Sequence, residues 1–284
     1  MDLKQIRDLC KTAGFRPNKR LGQNFMVDNN TRKKIISSIR FRSSDTVVEI
    51  GAGFGAMTFL LAERFNKVIA VEKDPRVYEI MKPIFQKKEN IVFMNEDILK
   101  VDLERVRSSD NKLTVFGNIP YYISTPVIEK IIDQRAYVES AYIVMQEELA
   151  DRIVASPGTR TAGSISYFVQ FYTKPKKLFR IKKNVFYPKP QVESCLLELE
   201  VLSSPSVKVR NESIMFQIIR RAFSERRKMA INPLSSSGLL AEGRSGWERI
   251  FNKCQLDKSS RAENLSLKDY SFIADELYYY KRNI

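Results

Sequence analysis

Val48-Glu49-Ile50-Gly51-Ala52-Gly53-Phe54-Gly55 constrains this chain more than any other stretch. Thr46 to Ile50 reads as a short apolar strand, and the three glycines that follow let backbone approach a ligand with no Cβ in the way. Ala56 to Phe65 then has helical spacing, with Met57, Leu60, Leu61 and Phe65 on one side. Strand, glycine turn and helix is how open α/β sheets present a helix N-terminus to a nucleotide-like cofactor. The spacing departs from G-x-G-x-x-G because position 56 is Ala. A tight strand-to-helix turn with no ligand would read the same way.

The next strands discriminate. Lys67 to Glu72 is a second apolar run that ends in an acid, placed to accept hydrogen bonds from both ribose hydroxyls of a cofactor. Ile91 to Met94 leads to Asn95-Glu96-Asp97, where Asp97 can accept from an exocyclic amine of a cofactor adenine. Leu113 to Gly117 delivers Asn118. In a doubly wound sheet such strand ends line one crevice.

Asn118-Ile119-Pro120-Tyr121 indicates the chemistry. The lone pair of an adenine N6 is delocalised into the ring, so the nitrogen is a poor nucleophile. The amide oxygen of Asn118 and the carbonyl of Ile119 can accept its two N–H bonds, which exposes the lone pair to a methyl sulfonium. Pro120 stiffens the turn, and Tyr121 offers a face for a flipped-out base. Between NAD and S-adenosylmethionine, which both suit a ribose-binding acid, this turn favours S-adenosylmethionine. An Asn-X-Pro turn closing a strand, with Tyr121 in the core, is the structural alternative.

With 48 Lys and Arg against 33 Asp and Glu, the net charge of +15 favours a polyanionic partner. The absence of histidine excludes Ser-His-Asp chemistry. Cys10, Cys195 and Cys254 have no metal-ligand spacing and are too few for a disulfide framework, so the expectation is no metal and free thiols in a reducing cytoplasm. The N-terminus lacks an apolar core for a signal peptide, and no run reaches the length of a membrane span.

Leu3 to Ala13 and Asn30 to Ile39 read as helices, and strand–helix alternation runs from 46 to about 149 with Glu139 to Met145 as a fifth strand. Ile165 to Phe171, Lys176 to Ile181 and Ser194 to Val201 read as further strands, which suggests an antiparallel addition to the sheet. Ser203-Ser204-Pro205-Ser206 has linker composition, and beyond it Glu212 to Phe223, Ser245 to Cys254 and Leu267 to Tyr280 have helical patterning. The expected fold is α/β, a Rossmann-like methyltransferase sheet with an antiparallel addition. The expected domains are a catalytic one over 1–203 and a small all-α RNA-binding one over 204–284.

Six motifs together resemble the ribosomal RNA adenine N6,N6-dimethyltransferase family, in its small-subunit branch. They are Lys19 to Met26, Glu49 to Gly53, Asn118 to Tyr121, Phe186 to Ser194, Ala222 to Lys228 and Arg261 to Ser266. The resemblance implies dimethylation of two adjacent adenosines near the 3′ end of 16S rRNA, in a small subunit or its precursor, by a cytoplasmic monomer. It implies that Asn24, Met26, Gly51 and Gly53 contact S-adenosylmethionine, that Glu72 holds the ribose and Asp97 the adenine. It also implies that Asn118 binds both the methionine end and the target amine, and that Tyr121 and Phe186 sandwich the target base. Lys19, Arg20, Arg226, Arg227 and Lys228, with Arg220 and Arg221 on the same expected helix, are the candidate phosphate contacts. Ile119 stands where the family usually has Leu, and Ala162 where it commonly has Tyr. A 23S rRNA adenine dimethylase of the macrolide-resistance type and a non-catalytic assembly factor are the alternatives; the C-terminal motifs favour the small-subunit branch.

Overall fold

The computed structural model describes residues 3–18, 22–40, 46–107 and 110–282. The chain divides into two compact units: Met1–Ala150 with Pro175–Val201, and Asp151–Lys174 with Leu202–Ile284. The expected division after residue 203 differs from these units in one segment, because residues 151–174 cluster with the C-terminal part.

The first unit is built on β2 (Thr46–Ile50), β3 (Lys67–Glu72), β4 (Ile91–Asn95), β5 (Leu113–Asn118), β6 (Val138–Gln146), β7 (Thr173–Ile181) and β9 (Ser194–Val201). Their order in the sheet is β4-β3-β2-β5-β6-β9-β7. From β4 to β6 neighbouring strands run parallel, and β9 joins β6 antiparallel. Every residue of β2 is buried, and Leu113 to Gly117 of β5 are buried too, as expected of central parallel strands covered on both faces. The order turns back between β2 and β5, which is the switch point where such sheets open a crevice.

Helices fill the connections: α1 (Leu3–Thr12) and α2 (Asn29–Ser38) precede β2, α5 (Leu103–Val106) follows β4 and α7 (Glu147–Ile153) follows β6. After β2, α3 (Thr58–Ala62) is shorter than the expected helix, and Met57, Leu61 and Phe65 are buried at its ends and centre. Asp74 caps α4 (Pro75–Phe85) by accepting from Arg76 N at 3.0 Å, with Pro75 preset for the first turn. The turn after β5 runs into α6 (Ser124–Asp133). A separate two-stranded ladder joins β1 (Phe25–Met26) to β8 (Phe186–Tyr187), pairing Met26 with Phe186.

One expected strand is a helix. Ile165 to Phe171 lies within α8 (Ser164–Tyr172). Its apolar alternation and aromatic content favour a strand locally. The Ser166 hydroxyl, accepting from Gly163 N at 2.9 Å, starts a helix instead. Phe168 and Phe171 then pack edge-on against Phe216 of α9 (Glu212–Ala222). Tertiary packing overrides the local preference.

The second unit is helical: α8, α9, α10 (Ile231–Ser235), α11 (Gly243–Lys253) and α12 (Leu267–Arg282). Trp247, Phe251 and Tyr270 are fully buried in it. The Arg261–Ser266 motif is held by phenols: Tyr167 donates to Leu265 O at 2.7 Å and Tyr270 to Ala262 O at 2.9 Å. Among the described residues no helix is long and apolar enough to cross a membrane.

Candidate active site

The C-terminal ends of β4, β3, β2 and β5 open onto one cleft. The glycine turn forms its floor. Gly51 (φ 74°) and Gly53 (φ 52°) have left-handed backbones that disfavour side chains. A Cβ on Gly53 would come within 3.1 Å of the Phe25 ring, and one on Gly51 within 3.6 Å of Asn118 O. Gly55 serves packing instead, since a Cβ there would strike the Phe85 ring at 2.7 Å.

Three acids sit around the turn. Glu72, at the end of β3, accepts from Gly53 N at 2.9 Å and Asp74 N at 2.8 Å. Burial pushes its carboxyl above the ordinary range, against the pull of those backbone donors. Asp97 lies just beyond β4 and pairs with Lys73 at 2.7 Å. Burial would raise its carboxyl, but the bonds from Lys73 and Leu99 N outweigh burial and hold it low. The third acid, Glu49, is 2% exposed inside β2, and its Oε2 has no hydrogen-bond partner. Burial raises its pKa to about 8; the Thr58 hydroxyl opposes the rise and the nearby Glu72 charge adds to it.

The opposite wall is the segment before β1. The Asn118 amide donates to Asn24 O at 3.1 Å, and Asn24 donates to Gly22 O at 3.0 Å. Gln23 accepts from Asn18 N at 2.7 Å and donates to Asp74 at 2.9 Å, which ties the segment to the start of α4. Asp74 stays ionised because the bonds from Arg76 and Gln23 overcome its burial. With the Asn118 amino group engaged, its side-chain oxygen is left as the acceptor.

Of the residues singled out from sequence, Asn24, Gly51, Gly53, Glu72, Asp97, Asn118 and Pro120 line the cleft. Met26 and Ile119 are buried in the core instead, and Phe186 is 5% exposed in the same cluster as Met26. Tyr121 is half-buried, with its hydroxyl 2.8 Å from Ser194 Oγ. Lining residues given no role from the sequence include Gln23, Lys73 and Tyr122, the last an aromatic 58% exposed. Glu49 beneath the turn was given none either, although an acid inside an otherwise apolar strand was a visible signal.

In the helical unit Arg220, Arg221, Arg227 and Lys228 are exposed. Arg220 Nε also donates to Phe216 O at 3.3 Å. The Arg226 guanidinium is engaged locally, donating to Arg160 O and to Ala162 O. Lys19 and Arg20 lie outside the described residues.

Residues 14–277 match the family model described as Ribosomal RNA adenine dimethylase. A relative from Pelotomaculum thermopropionicum, named Ribosomal RNA small subunit methyltransferase A, is 37% identical over 95% of this chain and 94% of its own. One of the same name from Alkaliphilus oremlandii is 35% identical over 96% of each chain. Among solved structures, a dimethyladenosine transferase from Plasmodium falciparum superposes with a TM-score of 0.71 at 24% identity, over 90% of this chain and 98% of that one. The 23S rRNA methyltransferase ErmE gives 0.68 at 19% identity, over 89% and 99%. These two share the fold.

Proposed function

The chain belongs to the ribosomal RNA adenine dimethylase family, and on that premise we propose that it dimethylates N6 of two adjacent adenosines near the 3′ end of 16S rRNA with S-adenosylmethionine. It acts as a cytoplasmic monomer on a small subunit or its precursor. Residues 1–203 carry the chemistry and 204–284 the RNA contacts. The relatives' shared name favours the small subunit over the 23S alternative.

The cleft suits the cofactor. The Gly51–Gly53 floor has a left-handed backbone that disfavours side chains, Glu72 and Asp97 supply acceptors, and Ile50, Val71, Ile98 and Leu99 supply apolar wall. Glu72 is assigned to the ribose hydroxyls, Asp97 to the adenine amine, and Asn24, with Gly51 and Gly53, to the remaining contacts. Bound there, S-adenosylmethionine supplies a methyl group on a sulfonium, already activated for transfer.

The observation that carries the reading is the Asn118–Asn24 hydrogen bond, which fixes the Asn118 oxygen as an acceptor at the end of β5. That oxygen and the Ile119 carbonyl accept the N6 hydrogens and draw the lone pair out of ring conjugation. Both acceptors are set before the base arrives, which is electrostatic preorganisation. Tyr121 stacks on the base, and Phe186 becomes its second wall once its buried ring is uncovered. In the helical unit Arg220, Arg221, Arg227 and Lys228 take rRNA phosphates. Incubation of unmethylated small subunits with the protein and S-adenosylmethionine, followed by nucleoside mass spectrometry, tests the assignment.

A further inference from the structure

We propose that Ser194 is a positioning residue for methyl transfer, holding the Tyr121 ring in its orientation through the hydrogen bond between their hydroxyls. The proposal rests on the reading of Tyr121 as the base-stacking residue. The two residues lie 73 positions apart and meet at 2.8 Å. Tyr121 opens a single 3-10 turn, Tyr121–Ile123, so backbone fixes only its Cα. A tyrosine ring turns about two torsions; a bond to its hydroxyl fixes the direction of the ring axis, and the phenol's preference for hydrogen bonds in its own plane biases the tilt.

Ser194 can serve as that anchor because it is buried and held in the sheet. It is 0% exposed and is the first residue of β9, in register with Gln146 of β6. Its neighbour Glu193 is held twice: its carbonyl accepts from Glu147 N at 3.1 Å, and its carboxylate from Lys183 N at 2.9 Å. Glu147 in turn pairs with Lys177 at 3.3 Å and Arg180 at 2.9 Å. The bond therefore ties the catalytic turn to the antiparallel side of the sheet.

The consequence is geometric. A base stacked on Tyr121 adopts the tilt of that ring, and its N6 must meet the Asn118 oxygen and the Ile119 carbonyl. Small misplacements of reacting groups cost large factors in rate. Subunit affinity comes mainly from phosphate contacts and does not depend on this tilt. Loss of the anchor therefore lowers kcat and leaves KM for the subunit unchanged. A Ser194 that only satisfied a buried phenol would change melting temperature and not kcat.

The test is methylation of unmethylated small subunits by Ser194→Ala, Tyr121→Phe, the double variant and Tyr121→Ala. Melting curves and S-adenosylhomocysteine affinity are measured alongside. Ser194→Ala and Tyr121→Phe should each slow kcat roughly three- to tenfold, the range of one ordinary hydrogen bond, with both affinities unchanged. The double variant should be no slower than either single, because both remove the same bond. If Ser194→Ala does not fold, Tyr121→Phe removes the bond without a new cavity and carries the test. Wild-type kcat in the two single variants beside a slow Tyr121→Ala overturns the role of Ser194 alone, as do single effects that multiply in the double. Wild-type kcat in Tyr121→Ala overturns the stacking role of Tyr121, and the proposal with it.

Discussion

The Asn118 side chain donates to the Asn24 carbonyl at 3.1 Å across 94 positions of sequence, joining the end of β5 to the segment before β1. The bond orients the Asn118 amide and also closes one side of the cleft. Asn118→Ala should lose at least roughly 100-fold in kcat, the usual cost of removing one preorganised transition-state contact. S-adenosylhomocysteine should bind several-fold more weakly, since Asn24 loses its tether. Asn118→Asp keeps an acceptor but sets a carboxylate against the Asn24 carbonyl, so it should lose both functions. Steady-state kinetics and calorimetry read the two effects; an active Asn118→Ala would displace the catalytic turn.

Glu72 and Asp97 should separate by calorimetry. On the proposed ribose assignment, Glu72→Ala removes two bonds to a charged acceptor, each worth roughly 1.5–3 kcal/mol, and it also releases Gly53 N and Asp74 N. Its S-adenosylhomocysteine affinity should fall at least tenfold. Asp97→Asn still accepts but loses its charge and the Lys73 pair, so a smaller loss is expected. Unchanged affinity in a folded Glu72→Ala would remove the ribose assignment.

The buried Glu49 carboxyl should leave a signature in stability against pH. Its pKa rises from 4.5 to about 8 in the fold because the interior disfavours its charge. The folded chain then holds a proton that the unfolded chain has released. This contribution is complete below pH 4.5 and is lost as pH rises through about 8. Glu49→Gln should flatten the decline across that window and melt higher than wild type at its upper end. The flattening is partial, because burial raises Glu72 in the same direction. An unchanged slope in Glu49→Gln would show that Glu49 does not titrate there.

The basic cluster after α9 should divide in two. Arg226 donates to the carbonyls of Arg160 and Ala162, so Arg226→Ala should lower the melting temperature. Arg221→Glu with Arg227→Glu should leave melting unchanged and weaken subunit binding, with a shallower dependence on salt. Subunit binding at wild-type strength and salt slope would remove these arginines from the docking surface.

Much of this architecture is legible in sequence where local and tertiary forces agree. The strands ending at Ile50, Glu72, Asn95 and Asn118 are largely apolar runs that close on a glycine turn or a polar residue, and residues at or just beyond their ends line one cleft. α8 was not legible, because its aromatic alternation favours a strand, and the Ser166 bond to Gly163 N together with contact with Phe216 from a distant helix decides it. The β1–β8 ladder is two residues per strand, too short to carry a pattern, yet it draws Met26 and Phe186 into the core. Tyr122, Lys73 and Gln23 are unremarkable in sequence; they line the cleft because their neighbours on the turn, on β3 and before β1 are fixed there.

Dimethylation of two neighbouring adenosines can be read by nucleoside mass spectrometry with sequence mapping of in vitro methylated small-subunit rRNA. N6,N6-dimethyladenosine is expected at two adjacent positions near the 3′ end, with monomethyl species only as transients. Accumulation of N6-monomethyladenosine alone at long times with excess methyl donor would contradict it, as would dimethylation confined to large-subunit rRNA.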